Sequence, residues 1–175
     1  MLKLLEPRRS ELMIDFRVAN RDHLKTWEPR RPAEFFTPGF WDRQLGHVLQ
    51  DYRDGNSLCL VILDKADAEV MGVCNFTNIV RGTFLACHLG YALAEKHQGK
   101  GVMFEALTQA IEFVFTQMGL HRIMAAYIPR NARSGRLLQR LKFVREGRAI
   151  KYLNIDGCWE DHILTSLVNP DEMGA

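Results

Sequence analysis

The sequence has no apolar stretch long enough to cross a bilayer; its longest runs, such as 58–63, fall far short of the roughly 20 residues a spanning helix needs. The N-terminus carries no apolar segment ending in small residues, so neither a secretory leader nor a membrane partner is expected. No Cys-x-x-Cys pair occurs among the four cysteines Cys59, Cys74, Cys87 and Cys158, and none has a histidine partner at zinc spacing. That argues against a zinc module or a disulfide framework and for buried free thiols in a reducing, cytoplasmic setting. The six histidines form no His-Glu-x-x-His or similar cluster, so no metal is expected. Charge of one sign is not in excess either: a net charge of +2 gives no global case for DNA binding. Internal repeats, low-complexity tracts and linkers are also missing, so one domain spanning 1–175 is expected.

What is present suits a packed core. Hydrophobic residues make up 47% of the chain and charged ones 25%. Leu12 and Phe16 share one helical face, and Trp41, Leu45, Val48 and Tyr52 another, which predicts two amphipathic helices joined by the proline- and aromatic-rich loop 27–39. The β-rich runs 57–63 and 69–77 predict a hairpin, and 83–93 a further strand. From Gly101 the period becomes helical, through Met103, Leu107, Ile111, Val114 and Met118, with Gly119 as the stop. A buried strand over 122–128, a short helix over 131–141 and a terminal hairpin of 149–155 and 158–168 around Asp156-Gly157 complete an α/β (α+β) order.

Gln98-Gly99-Lys100-Gly101 lies where a strand gives way to a helix. The first N–H groups of that helix have no intrahelical partner and point into the turn. Gly99 and Gly101 keep side chains away, the helix dipole favours negative charge, and Lys100 adds a cation, so a pyrophosphate fits; a purely structural turn has the same look. A Walker loop needs Ser or Thr directly after Lys100, and a dinucleotide loop needs glycine where Phe104 stands. ATP hydrolysis and nicotinamide chemistry are therefore disfavoured.

Gln98, Gly101 and Met103 resemble the Gln-x-x-Gly-x-Gly/Ala pyrophosphate loop of the GNAT superfamily of N-acetyltransferases, with Met103 departing at the last position. Asn131-x-x-Ser134, opening a helix that ends in Leu141-Lys142-Phe143, is similar to that superfamily's Asn-x-x-Ser/Ala helix ending in Leu-Gly-Phe, with Lys142 in place of the glycine. Leu24-Lys25-Thr26-Trp27-Glu28-Pro29, Leu89-Gly90-Tyr91, the segments 101–107 and 121–125, and Asp156-Gly157-x-Trp159-x-Asp161-His162 resemble the RimJ/RimL-type ribosomal-protein-alanine N-acetyltransferases, the RimJ branch above all. Leu2-Lys3-Leu4-Leu5 is expected to be the end of the family's first strand.

The resemblance implies the GNAT fold, a mixed, mostly antiparallel sheet whose strands splay at the cofactor site, with flanking helices. It implies acetyl-coenzyme A as cosubstrate, attacked directly by the acceptor amine in a ternary complex. Cofactor contacts are expected from Tyr91, Ala92 and Leu93, from Gln98, Gly99, Lys100, Gly101, Val102, Met103 and Phe104, and from Asn131 and Ser134. The implied acceptor is the N-terminal alanine of a small-subunit ribosomal protein, with contact to the ribosome or a pre-ribosome. Ser134 is the expected partner of the leaving thiolate; where many relatives place a tyrosine one turn later, this chain has Leu138.

The general base is harder to name, because the position at which some relatives carry glutamate is Ala126. Asp161, Glu105, Glu28 and His88 are candidate bases or amine-binding groups. Trp27 and Trp159 could wall the acceptor pocket, and Arg133, Arg136 and Arg140 could meet the 3′-phosphate or a ribosomal surface. Two other readings stay open: acetylation of a small-molecule amine, and a non-catalytic acyl-coenzyme A-binding or ribosome-assembly module.

Overall fold

The structure, a computed structural model, describes residues 1–170. In chain order its elements are β1 (Leu2–Lys3), α1 (Ser10–Ala19), α2 (Arg21–Lys25), α3 (Pro38–Arg53), β2 (Leu58–Leu63), β3 (Val70–Val80), β4 (Ala86–Leu93), α4 (Val102–Thr116), β5 (Arg122–Tyr127), α5 (Ala132–Arg140), β6 (Val144–Ile155) and β7 (Cys158–Val168). The seven strands form one sheet in the order β1-β2-β3-β4-β5-β7-β6. Every pair is antiparallel except the central β4–β5 pair.

Side-chain periodicity sorts the residues between the two faces. On α4, Met103, Ala106, Leu107, Ala110, Ile111, Val114 and Phe115 form a buried stripe, packed with Cys87, Leu89, Ile123 and Ala125 of the sheet and Leu138 of α5. Alternate residues of β2 and β3, Val61, Leu63 and Val73, pack instead with Met13 and Phe16 of α1 and Trp41 and Leu45 of α3.

A parallel pair requires a crossover, and α4 supplies it between β4 and β5. Both α4 and α5 therefore begin where a central parallel strand ends. The β4–β5 ladder runs only from Ala86↔Arg122 to Leu89↔Ala125, although β4 continues to Leu93 and β5 to Tyr127. Ala125 is the last residue of β5 still paired with β4. On its other side the end of β4 stays bonded to β3 through Gly72↔Leu93 and Val73↔Ala92. A Cβ on Gly72 would lie 2.6 Å from the Ala92 carbonyl oxygen, so this close approach needs glycine.

Some boundaries differ from expectation. The first predicted helix divides at Asn20, whose Nδ2 donates to Phe16 O at 2.8 Å and whose Oδ1 accepts from the Glu95 N–H at 2.9 Å, so α2 starts afresh at Arg21. The 27–39 loop holds a 3₁₀ turn, Ala33–Phe36. β4 begins at Ala86 rather than 83, after Leu85 takes a positive φ of 43°. β6 starts five residues before the predicted 149, and its irregularities near 145–147 and 149–153 break the period-two pattern. Lys142, at the family's glycine position, has φ 69°, the left-handed conformation that glycine adopts freely.

The 26–31 segment is fastened from two sides. Beneath it, Arg17 Nη1 donates to both Glu28 carboxylate oxygens, at 2.8 and 3.2 Å, with side-chain exposures of 7% and 18%. The guanidinium lies 5.2, 5.4 and 5.7 Å from the ring centres of Phe16, Phe35 and Trp41. Burial pulls the Arg17 pKa below its ordinary value, and the Glu28 charge opposes that pull. Beside it, the Asp156 N–H donates to Glu28 O at 3.1 Å, and Arg30 lies 3.8 Å from the Asp156 carboxylate.

Two outcomes test these contacts by denaturant unfolding. Lys142→Gly should raise stability by roughly 0.5–1 kcal/mol, because relief of the left-handed strain exceeds the entropy glycine adds to the unfolded chain. Arg17→Met should lower it by about 3 kcal/mol, since a largely buried carboxylate loses its buried partner and keeps only the more exposed Arg31 at 3.4 Å. Adding Glu28→Gln to Arg17→Met should recover most of that loss.

Candidate active site

A cleft of about 1200 Å³ opens at the end of the parallel ladder. Its walls come from four places: Tyr91, Ala92 and Leu93 at the end of β4; Gln98, Gly99, Gly101, Val102, Met103 and Phe104 at the start of α4; Asn131, Ser134 and three arginines on α5; and the 22–28 segment with Trp27 and Glu28. Eleven of the twelve expected cofactor residues line it. Lys100 does not: it is exposed and lies outside the lining, so the cations facing the cleft are arginines.

Gly99 and Gly101 have φ values of 73° and 81°, and Gly101 is the residue from which α4 starts. A Cβ built on either would meet no protein atom within 4 Å, so the space beside this backbone is open to a ligand. The free N–H groups of a fifteen-residue helix and its dipole end face that space, which suits an anion such as a pyrophosphate. Around the cleft, Gln98 lies 2.8 Å from His23 Nε2 through its amide nitrogen, and its amide oxygen accepts from Arg133. Arg140 stands 4.3 Å over the Phe104 ring. The last residues of β4 have no β5 partner, so one strand edge is free to hydrogen-bond an extended ligand.

On α5 the Asn131 side chain accepts from the Ser134 N–H at 3.1 Å, capping the helix and fixing the serine in its first turn. The Ser134 hydroxyl lies 2.7 Å from the Tyr91 hydroxyl. Burial pushes the Tyr91 phenol up to about 12, with the Ser134 contact pulling the other way. Trp27 carries Arg130 at 5.6 Å over its ring, and Arg130 pairs with Glu160 at 2.7 Å. At the same end lie the carboxylates of Asp22, Glu28 and Glu95.

Three further expected site residues are not brought to the cleft. Asp161 sits on β7, where the Arg148 Nε and Nη2 donate to it at 3.0 and 2.6 Å and the Lys151 N–H at 2.8 Å. The Lys151 N–H first and Arg148 second hold its carboxyl below the usual range. It braces the irregular stretch of β6, where Lys151 has φ 48°, and is no free base. Glu105 is exposed in the first turn of α4, turned away from the stripe that meets the sheet. Trp159, 62% exposed on the terminal hairpin, walls nothing in the cleft. His88, on β4 opposite Met124, also lies outside the lining.

Sequence reasoning missed His23, Asp22, Glu95 and Arg130. The Asn20–Glu95 bond draws α2 against the end of β4 across 75 residues, and no local pattern announces such a contact. Among the described residues no cluster of three His, Cys, Asp or Glu could hold a metal ion, and no helix is long and apolar enough to cross a membrane.

The sequence matches the acetyltransferase (GNAT) domain family across residues 2–144. Over 171 residues it is 45% identical to the ribosomal protein uS5-alanine N-acetyltransferase of Escherichia coli strain K12, covering 98% of this chain and 88% of that one. The ribosomal-protein-S5-alanine acetyltransferase of Vibrio fischeri superposes with a TM-score of 0.94 at 42% identity, covering 97% of this chain and 93% of the other. RimJ of Mycobacterium smegmatis, solved with CoA-disulfide, gives a TM-score of 0.90 at 28% identity, covering 99% and 83%. With its parallel ladder ending over a glycine turn and a capped serine helix, the chain belongs to the GNAT family of acetyltransferases.

Proposed function

We propose that this chain is a single-domain cytoplasmic enzyme, spanning 1–175, that transfers the acetyl group of acetyl-coenzyme A to the N-terminal alanine of the small-subunit ribosomal protein uS5. The observation that carries the reading is that one continuous cleft joins an anion-binding helix start and Ser134 to an acidic, aromatic end formed by Trp27 and Glu28. The acceptor of the E. coli relative supports the choice of ribosomal protein.

Gln98, Gly99, Gly101, Val102, Met103 and Phe104 hold the pyrophosphate, with Arg133, Arg136 and Arg140 beside it. Tyr91, Ala92 and Leu93 offer the free edge of β4 to the extended arm of the cosubstrate, and a backbone N–H there can receive the carbonyl oxygen as charge develops. Bound acetyl-coenzyme A supplies an activated thioester. Ser134 meets its sulfur, and Trp27 and Glu28 receive the acceptor, Glu28 as part of the wall that its Arg17 pair holds in place rather than as a free carboxylate. An α-amine ordinarily titrates at about 7.7–8.0, against about 10.4 for a lysine side chain. Enough of it is neutral near pH 7 for water to take the proton, which suits a chain with Ala126 at the position where some relatives carry glutamate and favours a chain terminus over a lysine. The arginine side of the cleft suits contact with the ribosome or a pre-ribosome.

The wild-type protein, given acetyl-coenzyme A and an alanine-starting uS5 peptide, should release free thiol, with mass spectrometry placing the acetyl group on the terminal amine. Ser134→Ala should lower turnover by roughly 10²-fold. Turnover of spermidine or another small amine with none on the peptide would overturn the proposed acceptor.

A further inference from the structure

We infer that Tyr91 is a positioning residue for departure of the thiol: its hydroxyl fixes the Ser134 hydroxyl as a hydrogen-bond donor into the cleft. The inference rests on the transferase reading above and concerns a side chain that entered it only through its backbone.

Helix α5 offers no tyrosine of its own one turn beyond Ser134, because that position is the buried Leu138. A phenol reaches the serine from β4 instead, 43 residues earlier in the chain, at 2.7 Å, which is an ordinary O–H···O distance. Both residues line the cleft. The serine end of the contact is held by the Asn131 cap. Next to it, Gly135 lets α5 lie tight on the sheet, since a Cβ there would come 2.9 Å from the Tyr127 ring. The pair is therefore set by close packing at two successive residues of one helix.

Two hydroxyls in contact have one proton each, and only one of them donates to the other. Either hydroxyl can donate at this distance, and the polarity assigned is Tyr91 O–H to Ser134 Oγ, since the phenol is the stronger acid and the alcohol oxygen the better acceptor. Burial raises Tyr91 to about 12, so it keeps its proton throughout the neutral range. Among the described residues the Ser134 Oγ has no other protein partner, and its own proton remains available to the cleft. The reverse polarity would spend that proton on Tyr91.

In the reaction a bond forms between the acceptor nitrogen and the thioester carbon, and the carbon–sulfur bond breaks with its electron pair going to sulfur. The proton lost by nitrogen goes to water. Ser134 O–H donates to the departing sulfur without transferring its proton: a thiol pKa of about 8.5 lies far below that of an alcohol, so the thiolate is held by the hydrogen bond and takes its proton from solvent.

Tyr91→Phe removes one oxygen and keeps the ring. With an alanine-starting peptide, kcat should fall about tenfold, the acetyl-coenzyme A KM staying within about twofold. Combined with Ser134→Ala, it should cost no more than Ser134→Ala alone, because Tyr91 acts through Ser134. A second readout needs no turnover: the thiolate ultraviolet band of bound coenzyme A, titrated with pH. Its midpoint should be higher in Tyr91→Phe and in Ser134→Ala than in the wild type. An unchanged kcat in Tyr91→Phe, additive losses in the double variant, or an unmoved thiol midpoint would each overturn the inference. Should the wild type acetylate no peptide, the transferase reading fails on that result, and the thiol titration still decides the role of Tyr91.

Discussion

The last rung of the parallel ladder, Leu89↔Ala125, is the constraint on which the site depends. Up to that rung β4 and β5 satisfy each other; beyond it each continues without the other, and the sheet offers an unpaired edge in its middle rather than at its rim. An unpaired edge inside a fold is costly unless something else bonds to it. Parallel pairing also forces a crossover, so α4 must begin at the same end where β4 stops, and α5 begins there too because it follows β5 directly. Two helix starts and one open strand edge thus converge without any residue being chosen for that purpose.

Specific residues then give the cleft its polarity. Arg130, Arg133, Arg136 and Arg140 stand along its α5 wall, and Asp22, Glu28 and Glu95 line its α2 and loop wall. A cleft with low-dielectric walls and opposite charge on its two sides orients a ligand that is anionic at one end and cationic at the other before close contact is made. The arginines are not all free to move: Arg133 is tied to Gln98 and Arg140 is stacked on Phe104. Glu28 is likewise held, between Arg17 below and the Asp156 turn beside it. Side chains fixed before binding lose less entropy when the ligand arrives.

The glycine turn and the stripe of α4 were legible because each is encoded within a few neighbouring residues. What resisted reading was long-range. Tyr91 could be placed on a strand but not against Ser134, since the contact depends on how closely α5 lies to the sheet. Asp161 looked available in sequence because nothing there shows that Arg148 and the backbone of Lys151 take up its oxygens. Trp159 failed for a related reason: a tryptophan near the end of a hairpin can face either way, and here it stands in solvent outside the cleft. Lys100 sits beside the right glycines, yet it is exposed and lies outside the cleft lining.

The 26–31 wall of the cleft depends on groups distant in sequence. Arg17 and Glu28 belong to the first sixth of the chain, whereas the Asp156 turn that receives Arg30 stands 126 residues later. Closing so long a loop is slow compared with forming a helix or a hairpin. The 26–31 wall is therefore completed only once the β6–β7 hairpin is in place, the last pair of strands in the chain.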